Sequence, residues 1–237
     1  MSIVKMKGII ISENNMGDFD KMLTMLTPGA GKISCVAKGA RRPSSSILAG
    51  TQFLCFGEYV MYKGKEHYTI NSCEPIEIFY NLRTDLDKLN AAVNITKIVQ
   101  SVTNENENTY KILQLFLNTL YMISETDKDI DLITATFKLR ILTLLGFKPR
   151  TGECINCKTK DNLEYFSIKD NGFKCNSCYR QDTSSIKMTQ STQYAIKYIV
   201  GTQAKQLFSF NLKDDSLKEL MLISKIYLNE KLEGEYK

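Results

Sequence analysis

Cys154-Ile155-Asn156-Cys157 and Cys175-Asn176-Ser177-Cys178 place two C-x2-C pairs seventeen residues apart in a chain of 237. Two residues between thiolates form a tight knuckle whose backbone N–H groups support the sulfurs. The intervening segment is long enough to bring the second knuckle back to the first. Leu163–Ile168 and Gly172–Lys174 read as arms of a short hairpin turning at Asp170-Asn171-Gly172. About thirty residues cannot bury a core of their own, so metal binding supplies much of the folding energy of residues 150–182. Four thiolates close a tetrahedral shell, and the spacing therefore predicts one structural zinc ion on Cys154, Cys157, Cys175 and Cys178. An iron–sulfur cluster is the alternative occupant. Redox C-x2-C pairs would sit between a strand and a helix in a βαβ setting, which the pattern lacks.

On either side of the cysteine segment the pattern is helical. Upstream, Ile76–Leu89, Ala91–Val102, Thr109–Ser124 and Leu132–Leu145 carry apolar residues at three- and four-residue spacings. Gly146 and Pro149 stop the last of them. Thr109–Ser124, apolar around most of its circumference, is expected at the centre of a bundle. Downstream, Thr192–Val200 and Ser216–Leu232 read as helices, the second opened by a capping box of Ser216 and Glu219.

The first 77 residues read as strands. Val4–Ser12, Asp20–Leu26, Lys32–Lys38, Phe53–Tyr62 and Glu66–Ser72 are short runs of Ile, Val, Tyr, Phe and Thr, with turns at Thr27-Pro28-Gly29 and Lys63-Gly64-Lys65. Five such strands fit a small antiparallel barrel, of which an OB-type barrel is one solution. The expected fold is α+β and multidomain: an OB-type barrel over 1–77, a helical domain over 78–149 and 183–237, and an embedded zinc module over 150–182. Cys35, Cys55 and Cys73 in the strands read as small buried apolar residues.

The net charge of +5 is concentrated. Between Lys21 and Gly57 stand Lys21, Lys32, Lys38, Arg41 and Arg42 with no acid, while the rest of the chain is balanced. In the loop Lys38-Gly39-Ala40-Arg41-Arg42-Pro43-Ser44-Ser45-Ser46, paired guanidinium groups can fork phosphate oxygens, and hydroxyl and Gly N–H groups can add hydrogen bonds. Lys32, Lys38, Arg41 and Arg42 are the candidate phosphate contacts, with Lys63 and Lys65 as further candidates. Strand alternation puts Phe53 and Tyr59 on one side and Phe56 and Tyr62 on the other, one pair in the core and one available to stack bases.

Catalytic signatures are missing. The one histidine, His67, falls in a hairpin, and no phosphate loop, dinucleotide motif, H-E-x-x-H or G-x-S-x-G occurs. Asp127, Asp129 and Asp131 do not form a calcium loop: the sixth-position glycine is absent and Lys138 occupies the twelfth position. They suit a helix start, and Asp85 and Asp87 suit a solvated helix face. The apolar runs near 112–123 and 139–147 are too short to span a bilayer, the N-terminus lacks a cleavage site, and scattered cysteines suit a reducing cytosol.

Gly17-Asp18-Phe19-Asp20-Lys21, Leu26-Thr27-Pro28 and the run Gly31-Lys32-Ile33-Ser34-Cys35-Val36-Ala37-Lys38-Gly39-Ala40-Arg41-Arg42-Pro43 resemble the N-terminal barrel of the bacterial RecO family. Phe137-Lys138-Leu139-Arg140 with Leu145-Gly146-Phe147-Lys148-Pro149 resembles that family's entry to its zinc segment, and Leu207-Phe208-Ser209-Phe210-Asn211-Leu212 is similar too. The resemblance implies an OB domain, a helical domain and a zinc module. It implies binding of single- and double-stranded DNA, annealing of complementary strands, and loading of RecA with RecR onto DNA coated by single-strand-binding protein, whose acidic C-terminal tail is contacted. It also places the protein in the cytoplasm, at the bacterial nucleoid. Ser44, Ser45 and Ser46 stand where the family often has lysines, and the chain stops soon after Glu235. The expected function is thus a non-enzymatic DNA repair and recombination mediator. Its rivals are a zinc-containing interaction scaffold without DNA activity, a metal-dependent nuclease using Asp85, Asp87 or the 127–131 cluster, and an RNA-preferring zinc-ribbon factor.

Overall fold

The computed structural model describes residues 2–182 and 184–236, Gln181 by its backbone alone. Positions 1, 183 and 237, which bound some of the expected segments, lie outside the described residues. The chain divides into two compact units, Met1–Ser124 and Glu125–Lys237.

The first unit is built on a closed five-stranded barrel of β1 (Ser2–Met16), β2 (Asp20–Thr27), β3 (Gly31–Ala37), β4 (Phe56–Lys63) and β5 (Tyr68–Glu77), in the order β1-β2-β3-β5-β4. β1 is long because it serves two partners: its second half pairs with β2 and its first half with β4. The handover falls where Gly8 faces Gly57. A Cβ on Gly57 would stand 2.7 Å from the carbonyl oxygen of Glu74, so only glycine allows so close an approach. β3 and β5 pair in parallel through Cys35–Tyr68 and Val36–Thr69, which closes the OB-type barrel. Period-two positions fill it: Leu23 and Met25, Ile33, Cys35 and Ala37, Tyr59 and Met61. Tyr59 is fully buried, its hydroxyl donating to the carbonyls of Gly50 (2.7 Å) and Cys55 (3.2 Å). Cys35 and Cys55 are buried as expected, and Cys73 is half-buried.

Two differences from the sequence reading change which residues face the core. β4 begins at Phe56, not Phe53, because Leu54 adopts a left-handed conformation (φ 64°) and breaks the strand count. Phe53 therefore does not share the core side with Tyr59, while Phe56 and Tyr62 are half-buried on the opposite side. The helix expected at Ile76–Leu89 is also corrected. β5 continues to Glu77, whose carboxylate accepts the N–H groups of Ile78 and Phe79 as Phe79 turns left-handed (φ 51°). A 3-10 turn follows at Tyr80–Arg83, and one helix, α1 (Leu86–Ser101), replaces the two expected. Asp85 is its N-cap, accepting from the N–H groups of Asp87 and Lys88, which contributes about 1 kcal/mol. The connection to α2 (Tyr110–Glu125) is sewn to the β2–β3 turn. Asn106 N–H donates to Ala30, Thr109 N–H to Pro28 and Lys32 N–H to Asn104.

The second unit centres on α3 (Ile130–Leu144), not on α2 as the sequence suggested. Nine residues of α3, from Leu132 to Leu142, are buried around its circumference, whereas Tyr110 and Tyr121 of α2 are exposed. Asp129 caps α3 by accepting from Asp131 and Leu132 N–H. A small sheet with order β7-β6-β8 follows: β6 (Tyr165–Ser167), β7 (Gly172–Lys174) and the unanticipated β8 (Ser185–Lys187). Helices α4 (Gln190–Gly201) and α5 (Asp214–Leu232) complete the bundle with α3. The capping box at Ser216 is corrected: α5 starts earlier, and Glu219 instead accepts from the N–H and hydroxyl of Thr189, the N-cap of α4. No described helix is long and apolar enough to cross a membrane.

Candidate metal centre and candidate nucleic-acid interface

The two cysteine knuckles are local turns brought together by β7. In the first, Cys154 N–H donates to Thr159 (2.7 Å), and the Cys154 carbonyl accepts from Lys158 (3.0 Å), which is left-handed at φ 66°. In the second, Cys178 and Tyr179 N–H both donate to the Cys175 carbonyl, at 3.1 and 3.2 Å. Ile155 N–H donates to Phe173 of β7 (3.0 Å), and Cys175 N–H points at the sulfur of Cys154 (3.5 Å). Gly172 bridges to Arg150 so closely that a Cβ would stand 2.3 Å from the Arg150 carbonyl oxygen.

All four sulfurs lie within 4.8 Å of one another, and Cys157 and Cys175 are 3.6 Å apart. Sulfurs around a tetrahedral ion with bonds of about 2.3 Å are about 3.8 Å apart, so the donor set fits a metal. Among the described residues this is the one group of three or more metal-type ligands. Burial pushes the Cys154 thiol up, but hydrogen bonds from the N–H groups of Cys157, Cys175 and Asn156 outweigh it and bring it below the usual thiol range. Burial and hydrogen bonds to its three neighbours raise Cys178. Four thiolates this close repel one another unless a cation offsets them, so in its absence the cluster shares protons between unlike sites.

The sheet beside the cluster has two faces. Phe166 and Phe173 point inward, with Phe166 edge-on to Tyr227 of α5 at 5.3 Å. On the other face Tyr165 stacks on Tyr179 at 3.8 Å, and Lys174 is buried with its ammonium donating to Asp182 (2.8 Å) and Asp170 (2.5 Å). Asp182 also accepts from the hydroxyls of Ser167, Ser184 and Ser185. Burial would raise the Asp182 carboxyl, but the ammonium and hydroxyl donors hold it well below the usual carboxylate range. No spacing in the sequence signalled this network, because Asp182 meets Ser167 and Lys174 only once the three strands have paired.

In the barrel, the candidate cations separate into groups. Lys38, Arg41 and Arg42 are exposed on the loop leaving β3, and that loop is fastened to the β1–β2 turn. Gly39 N–H donates to the Asp20 carboxylate (2.7 Å), Arg41 N–H to the Phe19 carbonyl (2.9 Å), and the Arg41 guanidinium to the Gly17 carbonyl (3.3 Å). Arg42 lies over the Phe19 ring, 5.0 Å from its centre. Lys63 and Lys65 are exposed on the β4–β5 hairpin, which enters the short parallel pairing that the Lys38 loop leaves. Lys32 is not with them. It sits at the far end of β3, its ammonium donating to the Gln100 carbonyl in the last turn of α1 (2.8 Å), where a cation suits the helix dipole. Lys21 is also committed, to Glu13 (2.8 Å) and the Thr51 carbonyl (3.2 Å). The stretch is acid-free in sequence but not in space, because Glu13, Asp18 and Asp20 come from the neighbouring strands and turn.

Comparison with known proteins covers the whole chain. Residues 1–79 match the family described as Recombination protein O N terminal, and residues 83–237 match Recombination protein O C terminal. A protein of Acetivibrio thermocellus named DNA repair protein RecO is 42% identical over 237 residues, all of this chain and 94% of the relative. Relatives of the same name are 32% identical in Alkaliphilus metalliredigens (95% of this chain, 92% of the relative) and 28% identical in Bacillus subtilis (96% and 89%).

Proposed function

Because the chain belongs to the recombination protein O family, we propose that it is a DNA repair and recombination mediator that binds single- and double-stranded DNA. It anneals complementary strands and helps RecR load RecA onto DNA coated by single-strand-binding protein, contacting the acidic tail of that protein. The observation that carries this reading is the loop of Lys38, Arg41 and Arg42, exposed together and braced against the β1–β2 turn of an OB-type barrel. Bracing fixes the loop backbone while Lys38 stays exposed and the Arg42 guanidinium, lying over the Phe19 ring, keeps its N–H edge for phosphate. Lys63 and Lys65 extend the positive surface along the hairpin. Lys32, with its ammonium on the Gln100 carbonyl, contributes to the fold rather than to phosphate contact.

The work needs no bond chemistry. Cations on the barrel neutralise phosphates of two strands, repulsion between the strands falls, and base pairing drives annealing. The half-buried rings of Phe56 and Tyr62 are the candidates for stacking bases. In this reading the barrel over 1–77 meets DNA, beside the helical domain over 78–149 and 183–237. The module over 150–182 is held by one zinc ion on Cys154, Cys157, Cys175 and Cys178. When bound, zinc supplies folding energy; four thiolates leave it no position for water, so it is structural. The protein works in the bacterial cytoplasm, at the nucleoid.

One observation favours a scaffold without DNA activity: Asp18 and Asp20 sit in the turn against which the basic loop is braced, and they offset part of its charge. The deciding experiment mixes complementary strands, each coated with cognate single-strand-binding protein, without nucleotide. Faster annealing on adding the chain supports the mediator. If neither coated strands anneal faster nor naked strands are bound, the scaffold reading stands instead.

A further inference from the structure

We infer that Asp182 and Lys174 are positioning residues of the four-cysteine centre, holding its second knuckle in the ligand-binding arrangement by protein contacts alone. Lys174 immediately precedes Cys175, and Asp182 follows Cys178 by four residues. Their ion pair, 2.8 Å long with side chains only 3% and 5% exposed, closes a nine-residue loop that contains both ligands. Within that loop, Cys178, Tyr179 and Asp182 N–H groups donate to the carbonyls of Cys175, Cys175 and Tyr179.

The carboxylate is saturated. Ser184 donates to Asp182 through its N–H (2.9 Å) and hydroxyl (2.6 Å), Ser185 through its hydroxyl (2.8 Å), and the Ser167 hydroxyl of β6 also donates. Asp170, from the β6–β7 turn, is the second partner of Lys174, at 2.5 Å. One buried ion pair thus joins all three strands of the sheet to the end of the cysteine loop. The first knuckle is anchored differently, by main-chain hydrogen bonds: Ile155 N–H donates to Phe173 (3.0 Å) and Arg150 bridges to Gly172, while its nearby ion pair, Lys158 with Glu153, is exposed and 3.4 Å long. The two halves of the centre are therefore held by different means, the second alone by a buried ion pair among the described residues. Metal binding then clamps two knuckles that protein contacts have already set, instead of folding both from disorder.

The inference rests on reading the four thiols as a metal centre, and the test separates the two. The full chain, stripped with a chelator, is titrated with cobalt(II) while the thiolate charge-transfer absorption is followed. Amide exchange of the stripped chain is measured beside it. Absence of the absorption in the unaltered chain overturns the metal reading itself. With the absorption present, D182N is expected to bind cobalt about 10- to 100-fold more weakly, the range for loss of an outer-shell partner. In the stripped unaltered chain, Cys178, Tyr179 and Asp182 amides should stay protected, and D182N should speed their exchange while leaving the Cys154 and Lys158 amides unchanged. Should D182N fail to fold, S185A removes one hydrogen bond and is expected to weaken cobalt about two- to tenfold. Cobalt affinity within twofold of the unaltered chain in both variants, or unchanged exchange of the Cys178, Tyr179 and Asp182 amides in stripped D182N, overturns the inference.

Discussion

The basic loop of the barrel and the cysteine module use positive charge in opposite ways. Lys38, Arg41 and Arg42 stand in solvent, and what fixes their loop is hydrogen bonding to the β1–β2 turn and to the Asp20 carboxylate. Lys174 is buried against two carboxylates and shows solvent almost nothing. A buried cation without its partner carries a large desolvation cost, so Lys174 is an element of architecture. An exposed cation contributes little to stability and keeps its full charge for a ligand. Local charge density alone does not separate the two roles; the partners that the fold brings up do.

The largest expected effect tests the buried side of this contrast. K174M leaves Asp182 charged and unpaired, and thermal or denaturant unfolding of the second unit should show a loss of about 3–5 kcal/mol. Next comes its dependence on acid. Asp182 is held below the unfolded carboxylate value of about 3.9, so its contribution is complete above roughly pH 4 and is lost as pH falls through the lower folded value. Lys174, Asp170 and the Ser167, Ser184 and Ser185 hydroxyls are the groups facing it. Amide protection of Tyr179 and Asp182 should accordingly persist at pH 5 and decline only below pH 4; a decline already complete at pH 5 would break the contrast. On the exposed side, R41A/R42A should change stability by no more than about 0.5 kcal/mol. It should nonetheless weaken DNA binding roughly tenfold at moderate salt, irrespective of sequence. The smallest effect belongs to K32A: about 0.3–1 kcal/mol of stability from the lost cation at the end of α1, with the salt dependence of DNA binding unchanged.

What could be read from the sequence follows the range of the interactions involved. The four cysteines were legible because two residues of spacing dictate a knuckle, and the sulfurs do converge within 4.8 Å. The barrel was legible because period-two runs such as Leu23–Met25 and Ile33–Ala37 face a common core. The extension of β5 to Glu77 was hidden, since Pro75 and the apolar run after it read as the start of a helix. That α3 is buried around its circumference while α2 keeps an exposed side was also hidden, because both helices are apolar and only packing distinguishes them. Lys32 and Lys21 looked like free cations because their partners, Gln100 and Glu13, come from α1 and β1. The Lys174–Asp182 pair was silent for the same reason: seven residues separate the partners, and the sheet that joins them includes a strand, β8, too short to show a period.

The most direct test of the account is the affinity for single-stranded DNA as a function of salt concentration, for the unaltered chain and for R41A/R42A. The account predicts binding that weakens linearly in logarithmic salt, with a slope smaller by roughly 0.7 for each phosphate contact the double variant loses. Equal affinity and equal slope for the two proteins would contradict it, and the braced loop would then be a solvated surface and not the site that meets DNA.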